Sequence, residues 1–122
     1  LNGDIPQLSP CENMWNYIYI DDCARVLRKL GESVHAMDGV YNVASEDTRL
    51  LKDFVREIRD IIDKKMSLNF GAHHSIPERT FWLEPDTTKI QNVAGSCCWT
   101  FEQGIREKLN DYSVHHNEKS TR

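Results

Sequence analysis

The stretch W-N-Y-I-Y-I-D-D-C-A-R-V-L-R-K-L-G, residues 15–31, decides how the rest of the chain is read. Its first six residues, Trp15 to Ile20, are rich in aromatic and β-branched side chains, which suit a pleated, half-buried surface and predict a short strand. Directly after it the periodicity changes. Cys23, Ala24, Val26, Leu27 and Leu30 recur at helical spacing, Asp21 or Asp22 supplies an N-cap, and Gly31 stops the run. Val40 to Ala44, V-Y-N-V-A, predicts the next strand, bounded by Gly39 and by Ser45, Glu46 and Asp47. A strand, a crossover helix and a second strand form a right-handed parallel unit, so the expected fold class is α/β.

Working outward, Leu50, Leu51, Phe54, Val55, Ile58, Ile61 and Ile62 line one face of a helix expected from Thr48 to Ile62, with Asp47 or Thr48 as its N-cap. Leu68 to Phe70 predicts a very short strand. Thr87 to Ala94 predicts a two-turn helix capped by Asp86 and closed by Gly95. Thr100 followed by Gln103 is a capping-box pattern and opens a last helix with Phe101, Ile105, Leu109 and Tyr112 as its apolar stripe. From Ser113 to Arg122 only Val114 is apolar, so residues 1–112 are expected to be ordered and 113–122 to be a disordered tail. Upstream, Asp4 to Glu12 is punctuated by Pro6 and Pro10 and reads as an extended arm or edge strand. Two or three short strands with about four helices make an incomplete sheet, because a parallel sheet is normally covered on both faces. A chain that starts at Leu1 in a turn-like stretch also reads as a piece of something longer. Upstream sequence or another subunit is the expected complement.

Composition narrows the function classes. The 122 residues carry 15 Lys and Arg against 19 Asp and Glu, a formal charge of −4, and no basic block tracks a phosphate backbone. Nucleic acid is therefore not an expected partner. No apolar run approaches the roughly 18 residues of a membrane helix and no signal segment opens the chain, so no membrane partner is expected and a cytoplasmic location follows by default. Cys11, Cys23, Cys97 and Cys98 form no C-x-x-C pair, and free thiols packed as small hydrophobes are expected. The doublets His73–His74 and His115–His116 point their two rings in different directions, poor geometry for clamping a metal, and read as solvated loop or tail residues; the remaining histidine is His35. No metal is implied.

Five segments taken in order, N-G-D-I-P-Q-L-S-P (2–10), W-N-Y-I-Y-I-D-D-C-A-R (15–25), G-V-Y-N-V-A-S (39–45), D-T-T-K (86–89) and F-E-Q-G-I (101–105), resemble the C-terminal part of NAD-dependent sugar epimerases and dehydratases, the extended short-chain dehydrogenases/reductases. The resemblance covers about residues 2–112. It implies a partial Rossmann-like C-terminal segment, a nucleotide-sugar substrate, isomerase or lyase chemistry in the whole enzyme, NAD or NADP as its cofactor, and an N-terminal Rossmann half or another subunit as partner.

The family's catalytic parts are not in this chain. A dinucleotide fingerprint needs closely spaced glycines where a strand turns into a helix, so that backbone can approach the pyrophosphate. The glycines stand at 3, 31, 39, 71, 95 and 104, too far apart to build one. A Tyr-x-x-x-Lys pair sets a lysine one turn after the tyrosine and eases the phenol's proton exchange. Four residues after Tyr17, Tyr19, Tyr41 and Tyr112 stand Asp21, Cys23, Ser45 and His116. The chain alone is thus expected to bind no dinucleotide and to catalyse no hydride transfer. What the resemblance leaves is the substrate side. Arg79 in P-E-R-T-F-W fits a diphosphate contact, since a guanidinium fork suits phosphate oxygens, or it pairs with Glu78 or Asp86. Trp15 and Asn16 stand where the family carries an Arg-Asp pair. Trp15 either stacks on a base or sugar or is a structural tryptophan, and Asn16 either meets ligand or satisfies local backbone. Gln7 and Ser9 offer hydrogen bonds from the arm. The first expected function is the substrate-side fragment of such an enzyme, and the alternative is a free-standing, non-catalytic binding or interaction module derived from that fold.

Overall fold

A computed structural model of the chain describes residues 4–34, 39–73 and 82–119, with side chains of the last helix as far as Ser113. In chain order the elements are β1 (Gln7–Leu8), β2 (Met14–Asn16), α1 (Ile20–Glu32), β3 (Thr48–Leu50), α2 (Leu51–Ile62), β4 (Asn69–Phe70), α3 (Thr88–Ala94) and α4 (Phe101–Lys119). The architecture is mixed α/β with four helices and two small sheets among the described residues. The chain divides into two compact units, Leu1–Asn16 with Asp47–Pro85, and Tyr17–Glu46 with Asp86–Arg122.

The first unit holds every strand found among the described residues. β1 pairs with β4 in parallel, Gln7 opposite Asn69 and Leu8 opposite Phe70. β2 pairs with β3 antiparallel, with Met14 opposite Leu50, Trp15 opposite Arg49 and Asn16 opposite Thr48. β3 runs straight into α2, whose first amides would otherwise lack acceptors. The arm supplies them: Leu51 N–H donates to the Asn13 carbonyl and Lys52 N–H to that of Cys11, each at 2.9 Å. Cys11, buried and left-handed at φ 55°, is turned to present that carbonyl. Phe54 is the fully buried side chain of α2, with the Arg49 guanidinium 4.3 Å from its ring centre and bridged to Asp47 and Glu57.

The second unit is helical. Val26 on α1 and Ile90 and Ala94 on α3 form its buried cluster, and Leu30, Tyr41 and Val43 pack against it. Val26 and Leu30, like Ile90 and Ala94, are one turn apart, so matching ridges of two helices meet. Asp86 Oδ1 accepts the Thr88 amide at 2.9 Å, and Gly95, at φ 73°, closes α3 in a conformation that favours glycine. The capping box at α4 is reciprocal: Gln103 N–H donates to Thr100 Oγ1 at 3.2 Å, and Thr100 N–H to Gln103 Oε1 at 2.9 Å. Gly104 lets α4 close on the Tyr19 ring, because a Cβ there would stand 2.8 Å from Tyr19 Cδ2. That ring is itself stacked on Trp99, centroids 4.4 Å apart.

Four expectations are corrected. Strand β2 ends at Asn16 rather than reaching Ile20, because Asn16 pairs with Thr48 while the Tyr17 and Tyr19 rings turn to Phe101 and Trp99. Residues 40–44 are not a strand. Tyr41 and Val43 pack on the α1–α3 cluster, Asn42 donates to the Asp86 carbonyl at 3.0 Å, and Lys89 donates to the Val40 carbonyl at 3.3 Å. The strand–helix–strand crossover is therefore replaced by the β2–β3 antiparallel pair, in which Thr48 is a strand residue and not the cap of α2. Neither Asp21 nor Asp22 caps α1, since both lie in its first turn and Tyr19 is its N-cap. The backbone of α4 is helical as far as Lys119.

Candidate functional site

Four of the five nominated side chains lie in the first unit. Gln7, on β1, donates from Nε2 to the Ile5 carbonyl at 3.2 Å and accepts from Asn69 Nδ2 at 2.8 Å across the parallel pair. Ser9 Oγ stands 3.4 Å from Cys11 Sγ, just after β1. Asn16 donates from Nδ2 to Thr48 Oγ1 at 2.8 Å and to the Asp47 carbonyl at 3.2 Å, which ties β2 to the start of β3. Trp15 is half-buried opposite Arg49. Leu83 N–H donates to the Met14 carbonyl at 3.2 Å, so a second segment reaches β2. The amides of Gln7 and Asn16 thus each bind a neighbouring strand. Arg79, with His74 and Pro77, lies outside the described residues.

The best-built polar arrangement is in the second unit. Asp22, 1% exposed, accepts the backbone amides of Cys98 at 2.9 Å and Trp99 at 2.8 Å through Oδ2, and Arg25 Nη2 at 2.9 Å through Oδ1. Arg25 carries the contact onward, donating to the carbonyls of Ala94 at 2.8 Å and Ser96 at 2.9 Å. Glu46 accepts the Cys97 amide at 3.3 Å and Gln91 Nε2 at 3.0 Å. Residues 94–99, the link from α3 to α4, are therefore gripped through their own peptide groups. Asp22 and Arg25 sit one turn apart on α1, which puts both on the same face. The spacing was available in D-D-C-A-R, but the amides it serves lie more than seventy residues away in sequence.

The electrostatics of this latch is that of a fastener. Burial raises the Asp22 carboxyl, but the amides of Cys98 and Trp99 and the Arg25 guanidinium outweigh it and hold it below its ordinary value. Burial likewise opposes Glu46, outweighed by its own amide, the Cys97 amide and the Ser96 and Gln91 side chains. Asp86 is lowered by the backbone and side chain of Thr88. A carboxyl lowered by folding binds fewer protons folded than unfolded, so its contribution is complete above the ordinary carboxylate range and fades as pH falls through it. The urea midpoint is therefore expected to drop between about pH 5 and pH 3, and Asp22→Asn to flatten that drop. A midpoint that rises on acidification contradicts this assignment. None of the carboxylates of the latch is left proton-bound and poised as a general acid. Among the described residues no three His, Cys, Asp or Glu side chains group to hold a metal ion, and no helix is long and apolar enough to cross a membrane.

No protein-family model matches the chain, and no curated protein matches it. Solved structures do. A UDP-N-acetylglucosamine 4-epimerase from Bacillus cereus superposes with a TM-score of 0.65 at 18% identity, over 86% of this chain and 37% of that one. A dTDP-glucose 4,6-dehydratase from Bacillus anthracis str. Ames, in complex with NAD, superposes with a TM-score of 0.72 at 18% identity, over 94% of this chain and 36% of that one. The fold is thus shared with part of two nucleotide-sugar enzymes. The chain spans little more than a third of either.

Proposed function

We propose that the chain is the substrate-side, C-terminal portion of an NAD-dependent nucleotide-sugar epimerase or dehydratase, and that it is not catalytic alone. The observation that carries this reading is the superposition of 94% of the chain on 36% of a dTDP-glucose 4,6-dehydratase bound to NAD. Two features support it. The glycine spacing and the residues after each tyrosine leave no dinucleotide cradle and no Tyr-x-x-x-Lys pair. Among the described residues each sheet has two strands, whereas a doubly wound fold of this kind needs several. In the whole enzyme a nucleotide-binding half supplies the cofactor site. In this chain Arg79 meets the substrate diphosphate, Trp15 stacks on the base or sugar, Asn16 and Gln7 contribute hydrogen bonds once their strand contacts rearrange, and Ser9 contributes one from the arm.

Calorimetric titration tests the reading. The 122-residue chain is expected to give no binding heat with NAD, and turnover of a UDP- or dTDP-sugar is expected only when a dinucleotide-binding half is present. Micromolar affinity for NAD in the chain alone overturns the assignment. Nucleotide-sugar binding that persists with no turnover in any such combination favours a non-catalytic binding module instead.

A further inference from the structure

Two cysteines stand side by side in the link from α3 to α4, and the peptide they share is one that the latch holds. Cys97 and Cys98 both carry free thiols. Asp22 takes the Cys98 amide through both carboxylate oxygens, at 3.0 and 2.9 Å, and the Trp99 amide at 2.8 Å. Glu46 takes the Cys97 amide at 3.3 Å. Three successive N–H groups are thus fixed, and the Cys97–Cys98 peptide is the middle one. The two sulfurs have different surroundings. Cys97 Sγ lies against the Ala44 carbonyl at 3.9 Å, while Cys98 is exposed.

A disulfide between adjacent cysteines closes a small ring that contains their shared peptide. Consecutive Cα atoms are about 3.8 Å apart across a trans peptide, whereas a disulfide ordinarily joins Cα atoms about 4.4–6.8 Å apart. The ring closes only with strain, and a strained disulfide is easily reduced, the labile and reversible kind rather than the structural one. Closing it brings both sulfurs to one side of the peptide, which moves Cys97 Sγ off Ala44 and turns the Cys98 N–H away from Asp22. Ring and latch therefore compete for one peptide. We infer that Cys97 and Cys98 form a reversible thiol–disulfide switch set against the latch of Asp22 and Glu46: as a dithiol the link from α3 to α4 is held, and as a disulfide it is released. The oxidant is a low-molecular-weight disulfide. The exposed Cys98 thiolate attacks one of its sulfurs, forming a mixed disulfide and expelling the first small thiolate. When the latch opens, the Cys97 thiolate attacks the Cys98 sulfur and the second small thiolate leaves. Two cysteine thiols are oxidised, one external disulfide is reduced to two thiols, and the two cysteine protons pass through solvent to the leaving thiolates. The coupling is reciprocal, so the factor by which the latch disfavours the ring is the factor by which the ring weakens the latch.

Equilibration of the 122-residue chain in buffers of reduced and oxidised glutathione at about pH 8, with acid quenching and peptide mapping by mass, tests the inference. The Cys97–Cys98 disulfide is expected in the folded chain at oxidising ratios and is lost again on reduction. Its equilibrium constant is expected to be about tenfold higher in the same chain unfolded in urea, where no latch opposes it. Asp22→Asn and Glu46→Gln, which weaken the latch through separate contacts, each move the folded chain toward the unfolded value. Hydrogen exchange reads the latch itself. The Cys98 and Trp99 amides are expected to exchange about tenfold faster in the disulfide form, and oxidised glutathione leaves them unchanged in Cys98→Ser, which cannot close the ring. A chain that stops at the mixed disulfide on Cys98, a ring as stable in the folded chain as in urea, or amides that exchange equally in both forms overturns the inference.

Discussion

Replacing Asp22 with alanine is expected to lower the unfolding free energy by about 3–4 kcal/mol, a large share of the roughly 5–15 kcal/mol that a domain of ordinary stability possesses. The loss has two parts. The amides of Cys98 and Trp99 lose their acceptor, and buried donors left unsatisfied cost about 1–3 kcal/mol each. Arg25, whose side chain is only 21% exposed, loses its counter-charge while keeping the carbonyls of Ala94 and Ser96, which partly compensate. Asp22→Asn retains one carboxamide oxygen for the amides and is expected to cost less. The double change Asp22→Ala with Arg25→Ala should cost less than the sum of the single changes, because the residues share one network. Urea unfolding followed by circular dichroism at neutral pH measures all four proteins, and a cost below about 1 kcal/mol for Asp22→Ala would show that the link from α3 to α4 is held by something else.

The position of Asp22 also marks where sequence reading stops. Elements fixed by local signals were legible: the Thr100–Gln103 capping box, the Gly95 stop and the short strand at Asn69–Phe70 all stand where short-range chemistry puts them, whereas the N-cap of α3 is Thr87 rather than Asp86, which accepts the Thr88 amide from one residue further out. Helices α1 and α2 were legible as well, since apolar periodicity extends along each. What escaped were features made by partners distant in sequence. Thr48 has a good N-cap side chain, yet its hydroxyl accepts from Asn16 and the α2 amides go to the arm's carbonyls instead. Val40 to Ala44 has strand-forming side chains, but no strand among the described residues pairs with it, and its alternate residues Tyr41 and Val43 serve a helical core. An acidic residue at the start of a helix reads as a cap by default. Asp22 does a different job because the chain returns two amides to it from the far side of α3.

The same physics bears on the nominated residues. Gln7 and Asn16 were singled out for amides that a ligand could use, and in the fold those amides join β1 to β4 and β2 to β3. A diphosphate or sugar must compete with those bonds or approach the lone pairs they leave. Trp15 is half-buried on β2, opposite Arg49 in the antiparallel register. Sequence alone ranks such residues by chemical type. The fold ranks them by what they already hold.

Cys97 yields the other large effect. Burial first, then the charges of Glu46 and Asp22, push its thiol from an ordinary value of 9.0 up to about 12. At pH 8 the thiolate fraction falls about 1000-fold relative to an ordinary thiol. A more basic thiolate is also a better nucleophile, and with a Brønsted slope near 0.45 this returns about 20-fold, so Cys97 is expected to attack a disulfide reagent about 50-fold more slowly than the same residue in the unfolded chain. Occlusion beside the Ala44 carbonyl, 3.9 Å from its sulfur, slows it further. Cys98 is exposed and adjacent, so the measurement needs Cys98→Ser as background, with mass mapping of the labelled peptide over time. Glu46→Gln removes one of the negative charges facing the sulfur and is expected to speed the reaction while still offering an acceptor to the Cys97 amide. If folded and unfolded chains label Cys97 at the same rate, the segment 94–99 opens faster than the reagent attacks, and the latch of Asp22, Arg25 and Glu46 does not hold it closed.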